Sequence, residues 1–330
     1  MYFLIGISLL FIYLYTVNLA GSLFSAAGWR LLSKHLAQRS SRDQADLLFL
    51  LRVMPVTAAV VLSLALILPS FVLFEPHESE ETITYKLAIL VGISLAGLIA
   101  AASRIFGSWW RTRRLTAEWM RDAEPFELEG FHLPAYRIEH PFPVLAVIGV
   151  LSPRIFCATQ VLEALDPEEL RAALAHEVGH VTSRDNLKRV AMRLCGDMLV
   201  LPLGKSLDRR WLEAAESAAD EFAASDKPAS TALNLASALV KIGRITPAGR
   251  SWELPAGAYL TEPEDTSIAA RVEGLLDLAG VPSRPAFTSS KILLRIGPPA
   301  LLAVLVIPAS SDRVLYAVHQ MTETIITALQ

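Results

Sequence analysis

Residues 2–24, YFLIGISLLFIYLYTVNLAGSLF, carry no charge and are long enough to cross a bilayer. In lipid such a segment must satisfy its own backbone hydrogen bonds, so it has to be a helix. No Lys or Arg precedes Arg30, so the segment lacks the basic start of a cleavable signal and reads as an anchor. Further apolar runs cover Val53–Phe74 and Lys86–Ile105, the latter with Arg104 near its end, able to reach the interface. A fourth, Ile292–Pro308, is short and holds Arg295, Pro298 and Pro299, so a kinked or half-buried helix is an alternative for it. The charged fraction, 19%, lies below the ~25% usual for soluble domains.

Charge orients these spans. Arg30, Lys34, Arg39, Arg42 and Arg52 lie between the first and second, and Arg104, Arg111, Arg113, Arg114 and Arg121 follow the third. The intervening EPHESEETIT has no Lys or Arg. The positive-inside rule makes the basic segments cytoplasmic and the N-terminus external. Four segments follow: three transmembrane helices in 1–105, a cytoplasmic domain at 106–291, a fourth transmembrane helix at 292–309, and a short extracytoplasmic tail at 310–330. Trp109 and Trp110 fall where an interfacial anchor belongs, although packing explains them as well. The net charge of −3, with no basic stripe interleaved with aromatics, excludes direct nucleic-acid binding. Cys157 and Cys195 form no CxxC pair and read as buried free thiols.

The cytoplasmic segment reads as strands, then helices. VLAVIGV and RIFCATQ can pair across LSP as a hairpin. In ALDPEELRAALAHEVGHV, Asp166 is a good N-cap, Pro167 suits the first helical position and Glu169 completes a capping box, which predicts a helix over 167–183. Further helices are expected over 185–200, from near Asp208, and over TSIAARVEGLLDLA. Residues 226–266 are mixed, with a Pro/Gly-rich stretch at 247–257. In the tail, positions 314, 318, 321, 325 and 329 are apolar at helical spacing, which suits an interfacial, partner-binding or packing helix.

The chemistry lies on two of these helices. Residues four apart share a helix face, so His176 and His180 can offer nitrogens to one cation, with Glu177 beside them in reach of water. Gly179 costs a helix about 1 kcal/mol against Ala, which suggests close approach of another element. Glu216 can supply a third ligand, and Asp220, one turn on, can hydrogen-bond the outer nitrogen of a ligand histidine. A solvated acidic face with Glu213 and Glu221 is the alternative, but the surrounding alanines of AAESAAD indicate packing. The donor set suits one Zn2+ per chain, although Mn or Co fits the same ligands. Glu177 is then the general base of a peptidase. A substrate peptide can add to an edge of the strands before the helix. The oxyanion-stabilising group is not evident; Arg271, His140 and Tyr259 are candidates that a structural role explains better.

ALAHEVGHVTSRDNLKR followed by AAESAADEFA resembles the gluzincin membrane peptidases, and is most similar to the BlaR/MecR-type antirepressor metallopeptidases. LSPRIFCAT resembles the strand that precedes the helix in that family. The resemblance spans roughly 1–310 and is specific over about 145–225. It implies a multi-span α-helical membrane protein with an inserted cytoplasmic α+β zincin-like metallopeptidase domain, in a bacterial-type inner membrane. It implies His176, His180 and Glu216 as zinc ligands, Glu177 as general base, and a polypeptide substrate such as a cytoplasmic transcriptional repressor. The residues from Ser310 to Gln330 hold no SxxK acylation motif, so β-lactam sensing finds no residue here. HtpX-like quality-control peptidases share HExxH and ExxxD. A non-proteolytic membrane scaffold with a structural zinc is the reading from another class, weakened by the presence of Glu177 beside the ligands.

Overall fold

The computed structural model describes residues 2–36, 39–75, 85–127, 130–197, 204–225, 227–247, 268–280, 299–300, 302–304, 306–307 and 311–329. All but the first residue of the Pro/Gly-rich stretch at 247–257, together with Tyr259 and most of the fourth apolar run, lie outside these.

Three described helices are long and apolar enough to cross a membrane. The first is α1, Tyr2–Leu36. The second is a rod of α2 (Ser41–Leu62), a π-helical turn (Ser63–Ile67) and α3 (Leu68–Phe74). Pro69 explains the turn: its ring and missing N–H conflict with regular α bonding to the preceding turn, and widening relieves this. The third, α4, runs unbroken from Tyr85 to Asp122. Its 38 residues span about 57 Å, well beyond a ~30 Å hydrocarbon core, so the helix enters the domain that follows. There Leu115, Trp119 and Met120 pack against that domain's core.

That core is built on a four-stranded sheet ordered β1-β2-β4-β3. β1 (Glu124–Phe126) is antiparallel to β2 (Ala135–Ile138), and β2 is parallel to β4 (Arg154–Ala158). β3 (Leu145–Ile148) forms the expected antiparallel hairpin with β4. Gly149 opens its turn at φ 114°, and an added Cβ would lie 2.6 Å from the Ser152 carbonyl oxygen, so only glycine fits. β3 is an edge strand with all four residues buried.

Helices follow: α5 (Thr159–Ala164), α6 (Pro167–Thr182), α7 (Asp185–Asp197), α8 (Lys205–Ala223), α9 (Pro228–Ile245) and α10 (Ile268–Gly280). α6 starts with the expected capping box, the Glu169 carboxylate accepting from the Asp166 N–H at 2.9 Å. Glu169 also accepts from Ser237 Oγ (2.6 Å) and Lys241 Nζ (2.7 Å), which ties α9 to the start of α6. Burial would raise the Glu169 pKa, but these donors outweigh it and hold the carboxyl below its ordinary range. α9 falls where the sequence reading is mixed. Its Ala232, Leu235, Ala236, Leu239 and Ile242 recur at helical spacing and are buried against the sheet core. Both cysteines are buried free thiols, and burial pushes Cys157 up to about 12.

The first half of α2 belongs to a second core, in which Ala45 and Leu48 pack on Met192, Leu207, Trp211 and Ala215. Polar contacts reinforce this junction. Ser41 Oγ donates to Glu221 (2.7 Å), Lys188 pairs with Asp46 (2.6 Å), and Arg52 pairs with Asp208 (2.7 Å). The tail forms α11, Asp312–Leu329, packed on α3 and the π-helical turn.

Candidate metal centre

α6 and α8 face each other, and Gly179 sets their approach: a Cβ there would lie 3.2 Å from both Ala219 Cα and Phe222 Cδ1. This spacing brings Glu216 to the histidine pair. His176 Nε2 and His180 Nε2 are 3.2 Å apart, and each is 3.5 Å from a Glu216 carboxylate oxygen. The three side chains are buried and can hold a metal ion. Ligand atoms about 2.05 Å from a tetrahedral zinc stand about 3.3 Å from one another, which matches these separations.

Both outer imidazole nitrogens are anchored. Asp220 Oδ1 lies 2.8 Å from His176 Nδ1, as its position one turn beyond Glu216 predicts. Asp185 Oδ2 lies 2.9 Å from His180 Nδ1. With each Nδ1–H donated to a carboxylate, both Nε2 lone pairs point into the centre. Asp185 is absent from the set read from sequence, although it lies in the RDN triplet after His180. Arg184 places it: its left-handed φ of 53° turns the chain between α6 and α7, at a cost of roughly 1–2 kcal/mol.

Two arginines flank Glu216, Arg271 Nη1 at 3.3 Å and Arg189 Nη2 at 3.6 Å. Arg271 also donates to Asp220 at 2.7 Å, so it binds Glu216 and Asp220 together. Burial favours a neutral Glu216, yet His180, His176 and Arg271 overcome it and hold the carboxylate well below its usual range. Asp220 is lowered likewise, burial being outweighed by Arg271 and His176. Burial alone would lower His176, but Asp220 and Glu216 raise it to about 9.

Glu177 Oε2 accepts from the Val147 N–H of β3 at 3.1 Å. Its Oε1 is buried and has no hydrogen-bond partner among the described residues. Burial raises its pKa against the opposing pull of the two histidines. A buried carboxylate oxygen with no partner among the described residues, beside three converging side-chain donors, fits a metal centre that handles water. His140, by contrast, packs edge-on to Trp119 at 5.5 Å and bonds the Phe142 backbone, as a packing residue of the sheet.

Residues 110–259 match the model of peptidase family M48. The match supports an M48 family metallopeptidase and covers α6 and α8 with all the residues above except Arg271. With the three apolar helices it supports a membrane metallopeptidase, whose substrates are polypeptides. No curated protein and no solved structure matches the chain.

Proposed function

We propose that this chain is an integral-membrane zinc endopeptidase that cleaves a cytoplasmic regulatory protein, with His176, His180 and Glu216 holding the metal and Glu177 as general base. The observation that carries this reading is the convergence of the two Nε2 atoms and Glu216 beside the partnerless Oε1 of Glu177. A divalent ion held there supplies Lewis acidity, polarising an amide carbonyl and acidifying water.

The chain's own residues do the rest. Val147 N–H holds one oxygen of Glu177, leaving Oε1 to take the proton of the attacking water and return it to the leaving amine. The raised pKa of Glu177 suits a group that must carry a proton between those steps. Asp220 and Asp185 keep both imidazoles in one tautomer. β3 provides the docking edge. Val144 O accepts from Ala158 N–H, so by the antiparallel alternation Leu145 and Val147 turn their backbone groups to the free edge. At Val147 the N–H is held by Glu177 and the carbonyl accepts from Asn186 Nδ2 (3.3 Å). A substrate strand therefore pairs first at Leu145.

The arginine clusters orient this centre to the cytoplasm of a bacterial-type inner membrane, with the N-terminus outside. The exposed Trp109 and Trp110, both in ring contact with Phe106 and with Arg113 over the Trp109 ring, suit the interface on that side. In this reading 106–291 is the inserted domain and a transcriptional repressor is the fitting substrate.

HtpX-like quality control of membrane proteins is the second reading. It is favoured by the docking of the second membrane rod directly on α8, through Ser41 and Glu221, which sets the centre close to the bilayer. The Glu177→Gln protein tests both readings. It should bind zinc and lose proteolysis; retained proteolysis refutes the mechanism. Used as a trap, it should hold soluble regulators, and recovery of misfolded membrane proteins alone would favour quality control instead.

A further inference from the structure

Two helices that carry residues of the α6–α8 centre also reach the apolar spans. α7 starts at Asp185, which holds His180. Near its other end, Cys195 joins Val56 of the rod and Ala101 of α4 in one buried cluster, with Leu14, Val53, Val60 and Leu98 packed against it. All of these partners belong to the three helices that are apolar enough to cross a membrane. Ala101 precedes Trp109 by eight residues, about 12 Å along α4. The cluster therefore lies on the bilayer side of the exposed Trp109 and Trp110.

α8 begins at the same place. Gly196 of α7 and Gly204, the N-cap of α8, both abut the Arg52 guanidinium, which an added Cβ at either position would strike. Arg52 stands one turn before Val56 on the rod and pairs with Asp208 in the first turn of α8. The sequence between the two helices, MLVLPL at 198–203, has no charged residue to oppose a place in hydrocarbon. Leu194, next to Cys195, is 38% exposed, and Arg193 before it is exposed as well. Helical side chains lean toward the helix N-terminus, so Arg193 can carry its charge back to the headgroups along an apolar stem. Lys205, Arg209 and Arg210, exposed at the start of α8, suit the same headgroup layer.

We propose that the end of α7 and the start of α8 insert together into the leaflet facing the domain, with lipid as the partner of their exposed apolar face. Leu194 lies at the depth of Ile99, which is 59% exposed on α4 within the span. An apolar face at that depth is buried in acyl chains. The pair does not cross. α7 has 13 residues, about 20 Å, and its first residue is already at the α6–α8 centre, whereas a hydrocarbon core is ~30 Å thick. The insertion fixes the height of that centre. Asp185 precedes Cys195 by ten residues and Glu216 follows Lys205 by eleven, so each stands about 15 Å along its helix from the inserted end. This placement rests on the membrane-spanning reading of α2 and α4 and not on the peptidase chemistry.

Nitroxide accessibility tests this in the full-length protein, in nanodiscs of phosphatidylcholine and phosphatidylglycerol. In a Cys157→Ala/Cys195→Ala background, Leu194→Cys, Ile99→Cys and Glu168→Cys carry the label one at a time. Ile99→Cys should favour oxygen over a water-soluble nickel chelate, and Glu168→Cys, exposed on the domain, the reverse. Leu194→Cys should follow Ile99→Cys. A Leu194→Cys label that favours nickel while Ile99→Cys favours oxygen overturns the insertion and leaves the spans standing. An Ile99→Cys label that favours nickel overturns the spans and the insertion with them. Wild type gives a second reading free of substitutions. With phosphatidylglycerol carrying a photoactivatable diazirine on its acyl chain, both α4 and the last turn of α7 should acquire lipid. Lipid on α4 alone overturns the proposal.

Discussion

Asp220→Asn isolates a single charge at the metal centre. The amide keeps the shape of the carboxylate, and its oxygen can still accept from His176 Nδ1, now at 2.8 Å. What is lost is the negative charge that makes the imidazole a stronger donor and that Arg271 Nη2 meets at 2.7 Å. Loss of such an outer partner costs ~10–100-fold in metal affinity, or about 1.4–2.7 kcal/mol. The structure points to the upper end. With Asp220 neutral, Arg271 keeps Glu216 Oε2 at 3.3 Å as its carboxylate contact, and a buried guanidinium then competes with the metal for that ligand. Adding Arg271→Met removes the competitor and should recover about tenfold of the loss. Zinc competition against a chromophoric chelator at fixed pH reads both steps. An Asp220→Asn protein that binds zinc within about threefold of wild type would refute the anchoring of His176 through Asp220. Lost affinity that Arg271→Met does not recover would refute the competition for Glu216.

Gly179→Ala gains about 1 kcal/mol of helix propensity but meets the Ala219 backbone at 3.2 Å, a clash that costs ~1–3 kcal/mol. We expect a lower melting temperature and weaker zinc binding as α8 and Glu216 move away; a more stable protein with unchanged affinity would contradict the close approach. For pH, Glu169 has a folded pKa below its ordinary 4.5, so its stabilisation is complete above that value and is lost as pH falls through the depressed folded pKa. The wild-type melting temperature should fall over that acid range and that of Glu169→Gln should fall less, and parallel curves would show that Glu169 is not linked to folding.

What is legible in the sequence is what the chain writes locally. The capping box of α6, the hairpin around Gly149 and the four-residue spacings of His176/His180 and Glu216/Asp220 each need only a few consecutive residues. The groups that orient the chemistry come from afar. Val147 reaches Glu177 across 30 residues and Arg271 reaches Asp220 across 51, and neither separation follows from a motif. The parallel pairing of β2 with β4 is non-local in the same sense. α9 is obscured for another reason: half of its six buried residues are alanine, which weakens the contrast on which apolar periodicity depends.

α2 shows where hydropathy itself runs out. The helical rod Ser41–Phe74 holds a stretch apolar enough to cross a membrane, yet ahead of Val53 its Ala45 and Leu48 face Met192, Leu207 and Trp211, a protein core. Transfer out of water favours burial in lipid and in protein alike, so the sequence cannot say which surface an apolar face meets. Arg52 decides it for this half of the helix. Counted as a loop charge, it orients the membrane; in the structure it is 5% exposed and pairs with Asp208 at 2.7 Å. A buried guanidinium needs a fixed carboxylate partner, and here α8 provides it. The same helix that is apolar enough to cross a membrane is therefore bonded to the helix that carries Glu216. A displacement of the rod along its axis has to move either this ion pair or Glu216 behind it.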